Sequence, residues 1–242
     1  MGIQLQPLGD LALEVSFGDT ISESIHKEIQ QFISRLQQAK IKGIMEWVPT
    51  YTSVAIYYLP DVINYSILIK KIEEIYNTSS QTELIEASVY EIPVYYGGKT
   101  GPDLSFVSQY QGLSEEEVIA LHANKEYLIY MMGFVPGFPY LGGLSQRLDV
   151  PRLEHPRPSV LAGSVGIGGN QTGIYPSIVP SGWRIIGITP VKLFDMENSS
   201  PFLLSAGNYI KFFPIEFNEY VKIKQLVDEK KYSVTTYQKE EG

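Results

Sequence analysis

Between Ile21 and Leu36 the apolar residues fall three or four apart. Ile21, Ile25, Ile29, Phe32, Ile33 and Leu36 line one helical face, with Glu28, Gln31 and Arg35 elsewhere. Gly43 follows as a stop. Around this helix the period shortens toward two. Ile3–Leu8 and Leu11–Phe17 read as strands about the Gly9-Asp10 turn pair, and Ile44–Val48 and Tyr51–Tyr58 as strands about Pro49-Thr50. Pro60-Asp61 opens a second helix, with Ile63, Ile67, Leu68, Ile72, Ile75 and Tyr76 on its buried face, and Asn77–Gln81 is a polar break. The expectation for residues 1–86 is an α+β domain, two helices on one antiparallel sheet.

Residues 87–242 read differently. Ser88–Tyr96 is a strand and Gly97–Asp103 a loop. A helix starts at Ser114, which forms a capping box with Glu117. Tyr127–Met132 is a strand, and glycine and proline then punctuate short strand-like runs at Ser159–Val165, Trp183–Thr189 and Tyr209–Phe213. That spacing predicts a compact, mainly-β barrel. A last amphipathic helix covers Asn218–Glu229, and the tail after it reads as loose.

Composition narrows the possible functions. No cysteine is present, which excludes disulfides, thiolate metal sites and cysteine nucleophiles. The net charge of −8 argues against a nucleic-acid partner. The N-terminus lacks the basic stretch and apolar run of a signal peptide, and no run is long enough for a membrane span, so the expected location is the cytoplasm.

Chemistry concentrates in Tyr127–Phe194. This stretch carries 11 of the 21 glycines, and Arg147, Arg152, Arg157, Arg184 and Lys192 against only Asp149 and Glu154, a local balance of +3. Glycine lets backbone amides approach an oxyanion, and arginine pairs with carboxylate or phosphate in a flat fork. A barrel with glycines at tight corners and arginines on its rim would show the same composition. Two runs stand out. Gly133–Gly143 sets Phe134, Phe138 and Tyr140 among prolines and glycines; Ala162–Pro176 mixes Gly163, Gly166 and Gly168 with the polar Ser164, Gln171, Thr172 and Tyr175. The second begins like a nucleophile elbow, but Ala162 replaces its first glycine and no helix signal follows. Gly166-Ile167-Gly168 starts a dinucleotide fingerprint, but Gln171 stands at the third glycine. There is no Walker A run and no metal-ligand cluster. His26 and His122 lie in helical segments, and His155 is a lone imidazole.

Taken in order, the runs resemble one family. Pro7–Asp10, Ile92–Gly98, Gly101–Leu104, Gly112–Ser114, Gly133–Leu144, Pro151-Arg152, Pro156-Arg157, Ala162–Val165, Gln171–Pro176, Gly182-Trp183 and Thr189-Pro190 together match the KipI/PxpB family, also called allophanate hydrolase subunit 1. The resemblance implies an α+β N-terminal domain joined to a cyclophilin-like β-barrel. It implies work as the PxpB-type subunit of an ATP-dependent 5-oxoprolinase, alongside a KipA/PxpC-type subunit and a PxpA-type subunit, with ATP and Mg held by the complex. Two alternatives accompany it: KipI-like inhibition of a sensor histidine kinase, and half of a urea-type carboxyltransferase. The chain departs from the family pattern at Lys99, Leu161, Ser181, Ile188 and Asn208.

On this resemblance and the local +3 patch, Arg152 and Arg157 are expected to grip anionic groups, with Gln171 beside them as catalytic residues. The amides of Gly163, Gly166 and Gly168 are expected to face a phosphate or oxyanion, and Ser164, Thr172 and Tyr175 to orient the substrate. Phe134, Phe138 and Tyr140 would form an aromatic wall or a subunit contact.

Overall fold

A computed structural model describes residues 2–78 and 87–239. They fall into two compact units, within residues 1–85 and 86–242. The expected boundary at residue 86 and most of the polar break before it lie outside the described residues.

The N-terminal unit runs β1 (Gln4–Leu8), β2 (Ala12–Ser16), α1 (Glu23–Ala39), β3 (Ile44–Pro49), β4 (Ser53–Tyr58), α2 (Tyr65–Asn77). Its strands form one antiparallel sheet in the order β1-β2-β4-β3. Alternation along β2 and β4 sends Leu13, Val15, Val54 and Ile56 inward, against Ile29, Phe32 and Leu36 of α1 and Leu68 and Ile72 of α2. The helices start later than the apolar pattern alone suggests. Ser22 caps α1, leaving Ile21 outside it and exposed. The Asn64 side chain accepts from the Ile67 amide at 2.9 Å, which starts α2 at Tyr65 and turns Ile67 outward.

The second unit contains β5 (Ser88–Tyr96), α3 (Leu104–Gln111), α4 (Glu115–Ala123), β6 (Glu126–Met132), β7 (Pro139–Gly142), β8 (Arg157–Val160), β9 (Ser164–Gly168), β10 (Gln171–Ile174), β11 (Val179–Ser181), β12 (Arg184–Ile188), β13 (Tyr209–Pro214), α5 (Phe217–Asp228) and β14 (Thr236–Gln238). Seven strands close a mixed barrel in the order β12-β9-β10-β7-β6-β13-β5, the circle completed by β5 pairing with β12. The β5–β13 pair is parallel. Ile92, Val94, Ile129, Leu141, Val165, Ile167, Ile186 and Phe212 fill the interior. The fold class is therefore the expected one, with three differences in detail. Helix α3 follows directly on the glycine loop. The single run expected over Ser159–Val165 is two strands, parted by a turn at Leu161–Gly163, and β8 pairs with β11 in a separate small sheet. The tail is not loose through Thr236–Gln238, because β14 pairs antiparallel with the start of β5. Among the described residues no helix is long and apolar enough to cross a membrane.

Candidate functional site

The arginine-bearing segment is organised around Trp183, which lies just before β12 and is buried. Its indole sits against the backbone of β9: a Cβ on Gly168 would fall 2.4 Å from the indole Cδ1, so only glycine fits there. Phe138 and Tyr175 flank the indole edge-on, with ring centroids 5.9 and 6.1 Å away.

Three arginines belong to this region, and of them Arg152 lies over the ring itself. Arg152 places its Cζ 5.9 Å from the indole centroid and donates from Nη2 to Gln171 Oε1 at 3.3 Å. Arg157, the first residue of β8, donates from Nη1 to the Trp183 carbonyl at 3.3 Å and from Nη2 to Asp103 Oδ1 at 2.8 Å. Arg184 follows Trp183 in sequence; its Nε donates to the Pro151 carbonyl at 3.2 Å and its Cζ lies 3.6 Å from the centroid of the Phe106 ring. Of the three, only Arg157 has a carboxylate partner among the described residues.

Asp103 is the buried counter-charge, and its position follows from the glycine loop before α3. The Gly97 amide bonds to Ile186 O and the Asp103 amide to Ile185 O, both at 2.9 Å, which lashes the loop to β12. Gly101 approaches so closely that a Cβ would lie 2.2 Å from Ile186 O. Asp103 then accepts from the Ile185 amide at 2.6 Å through its second oxygen. With both oxygens engaged, the carboxylate fastens β8, β12 and α3 together.

The remaining expected residues divide into those that face outward and those that hold the barrel. Phe134 is exposed, whereas Phe138 is buried among Phe134, Tyr140, Tyr175 and Trp183, and Tyr140 is half-buried. Phe134 has φ +61° and sits at the centre of a γ-turn closed by Val135 N–H to Gly133 O at 2.7 Å. That conformation is strained for a bulky residue. Thr172 points into a buried chain instead of outward. Its hydroxyl donates to Gly166 O at 3.0 Å, which leaves it to accept from His122 Nε2 at 2.8 Å, while His122 Nδ1 accepts from the Tyr96 hydroxyl at 2.7 Å. Burial holds His122 neutral, lowering its pKa to about 3. The Tyr175 hydroxyl meets Ser181 Oγ at 2.7 Å, and burial raises its phenol pKa against the opposing pull of that bond and of Arg152.

The glycines of the polar run serve packing. The Gly163 amide donates to Tyr175 O at 2.7 Å. Gly166 lies within β9, between β10 and β12, and Gly168 pairs with Gln171. Ser164 is buried at the start of β9. Two hollows stand out among the described residues, and both lie elsewhere. One of ≈480 Å³ is bordered by Lys40, Pro60 and Asn64, and one of ≈360 Å³ by Lys125, Glu126, Lys211 and Lys239. At the arginine site Arg152 is exposed and Gln171 half-buried, beside the buried indole. The site can receive an oxyanion. Among the described residues no group of histidine, aspartate and glutamate is arranged to hold a metal ion.

Sequence reasoning passed over Asp103, His122, Trp183 and Arg184 as working parts. Asp103 carried one signal, a lone acid between a glycine loop and an apolar run; the others became recognisable only once strands distant in sequence were paired.

Residues 3–204 match the family model described as carboxyltransferase domain, subdomain C and D. The chain is 40% identical over 232 residues to the 5-oxoprolinase B subunit of Bacillus subtilis (strain 168), covering 92% of this chain and 97% of that protein. It is similar to the solved structure of TTHA0988, with TM-score 0.75 and 35% identity over 85% of this chain, and it spans only 40% of that longer chain. The Kluyveromyces lactis urea carboxylase shares the fold alone, with TM-score 0.78 at 18% identity over 98% of this chain and 24% of that one. The chain belongs to the carboxyltransferase subdomain C and D family and, within it, to the 5-oxoprolinase B subunits.

Proposed function

We propose that this chain acts in the cytoplasm as the PxpB-type subunit of an ATP-dependent 5-oxoprolinase, opening the lactam of 5-oxoproline to glutamate with a KipA/PxpC-type and a PxpA-type subunit. The observation that carries this reading is the 40% identity along 97% of a 5-oxoprolinase B subunit. The chemistry of the arginine surface agrees with it. 5-Oxoproline is a stable lactam bearing a carboxylate, and opening it requires an activated carbonyl. ATP, with Mg, would supply that activation as a phosphate on the lactam oxygen, leaving ADP; one water would add to the lactam carbon and break its bond to nitrogen, and a second would release phosphate and leave glutamate. What this chain contributes is recognition and charge. Arg152 with Gln171 orients an anionic group at the edge of the indole. Arg157, tied to Asp103 and to the Trp183 carbonyl, fastens β8 to the start of β12. Thr172 and Tyr175 act from inside, fixing β10 and the Trp183 turn through His122 and Ser181. Phe138 and Tyr140 form the aromatic wall, and the exposed Phe134 is the subunit contact.

The test is co-expression with both partner subunits, followed by an assay of glutamate formed from 5-oxoproline and ATP. Glutamate and ADP should appear in equal amounts. An Arg152→Ala complex should lose about 10- to 100-fold in kcat/KM, the value of one charge-assisted bond. A stable assembly that consumes ATP but leaves 5-oxoproline untouched rejects the reading.

A further inference from the structure

Arg152, Arg157 and Arg184 are not equivalent, and the difference identifies a ligand site. Arg157 is spent: one nitrogen is on a buried carboxylate and another on a backbone carbonyl. Arg184 is held equally firmly, but by groups that leave its charge unanswered. Its Nε is fixed on Pro151 O, and its flat face lies on Phe106, which itself stacks on Tyr110 with 5.7 Å between centroids. Its two terminal nitrogens have no hydrogen-bond partner among the described residues, and no carboxylate lies within ion-pair distance. The carbonyl that anchors Arg184 belongs to the residue immediately before Arg152. The head of Arg184 therefore lies beside the backbone of Arg152, whose own head carries a 3.3 Å bond to the neutral Gln171. An oxyanion bound between the two guanidinium groups would answer the charge of both. The aromatic stack supplies the ordering in advance, so little side-chain freedom remains to be lost on binding.

We infer that Arg184 and Arg152 together form an oxyanion clamp for a carboxylate or phosphoryl group, and that Arg157 is a positioning residue. The inference rests on the proposed function only for the identity of the anion. Two sources share this chemistry: the carboxylate of 5-oxoproline and the phosphate transferred from ATP.

Trp183 provides a readout independent of turnover. The chain has two tryptophans, so Trp47→Phe leaves Trp183, which touches the clamp through Arg152, as the sole indole. The full chain in that background is titrated with inorganic phosphate, with 5-oxoproline, and with the uncharged primary amide of 5-oxoproline. A saturable change in emission is expected with phosphate or 5-oxoproline and none with the amide; which anion works identifies the source. In Arg184→Gln the affinity should fall at least ~10-fold with an unchanged thermal midpoint. Arg184→Lys should fall between, and Arg147→Gln, at an exposed arginine outside the cluster, should bind as the parent does. Emission unmoved by both anions, equal response to the amide, or parental affinity in both Arg184 variants overturns the clamp. A clamp that binds anions in a chain whose assembly makes no glutamate from 5-oxoproline rejects the functional reading alone. An active assembly whose kinetics and anion affinity ignore Arg184→Gln rejects the clamp alone.

Discussion

Among the described residues of the N-terminal unit the buried side chains are apolar with two exceptions, His26 and Ser53, and the sheet-helix interface is made of Leu, Ile, Val and Phe. The barrel buries Asp103, His122, Ser164, Thr172, Ser181 and Thr189 as well, and joins most of them into hydrogen-bonded chains. An apolar core can be filled in many ways, because dispersion and burial are non-directional. A polar interior fixes bond directions, and a half-satisfied polar network costs more than none. The barrel therefore trades tolerance for placement, and the residues so placed are those beneath the arginine surface.

The tryptophans allow this contrast to be challenged unit by unit, with Trp47 on β3 reporting one and Trp183 the other. The largest effect should come from Asp103→Ala. It removes two bonds to the carboxylate, from the half-buried Arg157 guanidinium and from the Ile185 amide, a loss of about 3 kcal/mol. In urea unfolding, the transition seen by Trp183 should move more than that seen by Trp47; equal shifts would show that the two units unfold as one. Next is Gly168→Ala, whose methyl would sit 2.4 Å from the indole. Displacing the ring should cost about 1–3 kcal/mol and shift Trp183 emission. A variant with parental emission and stability would show that the ring is not wedged. The smallest effect per unit change is that of pH. His122 titrates near 6.5 when unfolded and at about 3 when folded, so its contribution is complete above pH ~6.5 and is lost as pH falls toward 3. The slope is at most about 1.4 kcal/mol per pH unit. His26, lowered to about 4 by burial, acts in the same direction in the other unit. His122→Asn should flatten the acid dependence seen by Trp183 and leave that seen by Trp47.

The same contrast explains what could be read from the sequence. Ile29, Phe32, Leu36, Leu68 and Ile72 announce their helices because burial there is periodic, and the Ser114 capping box shows both of its bonds in the structure. The cluster at Arg152, Arg157 and Arg184 showed as charge, but not which arginine was committed. Asp103 lies 54 residues before Arg157, and only barrel closure brings them together. The glycines suggested access for an anion; the structure shows Gly168 making room for a ring and Gly163 for the Thr189 carbonyl. Composition records that a Cβ is absent and says nothing of what fills its place.

The parallel pairing of β5 with β13 has a consequence for how the chain is made. Tyr209–Pro214 meets Val89–Val94 across more than a hundred intervening residues. A ribosome releases the opening strand of this barrel long before its partner exists, so the circle cannot shut until Tyr209–Pro214 has emerged. Contacts so distant form slowly, and a newly made strand with two bare edges is open to wrong neighbours meanwhile. Yield in a cell should therefore depend on translation speed and chaperone supply more than on the stability of the finished molecule.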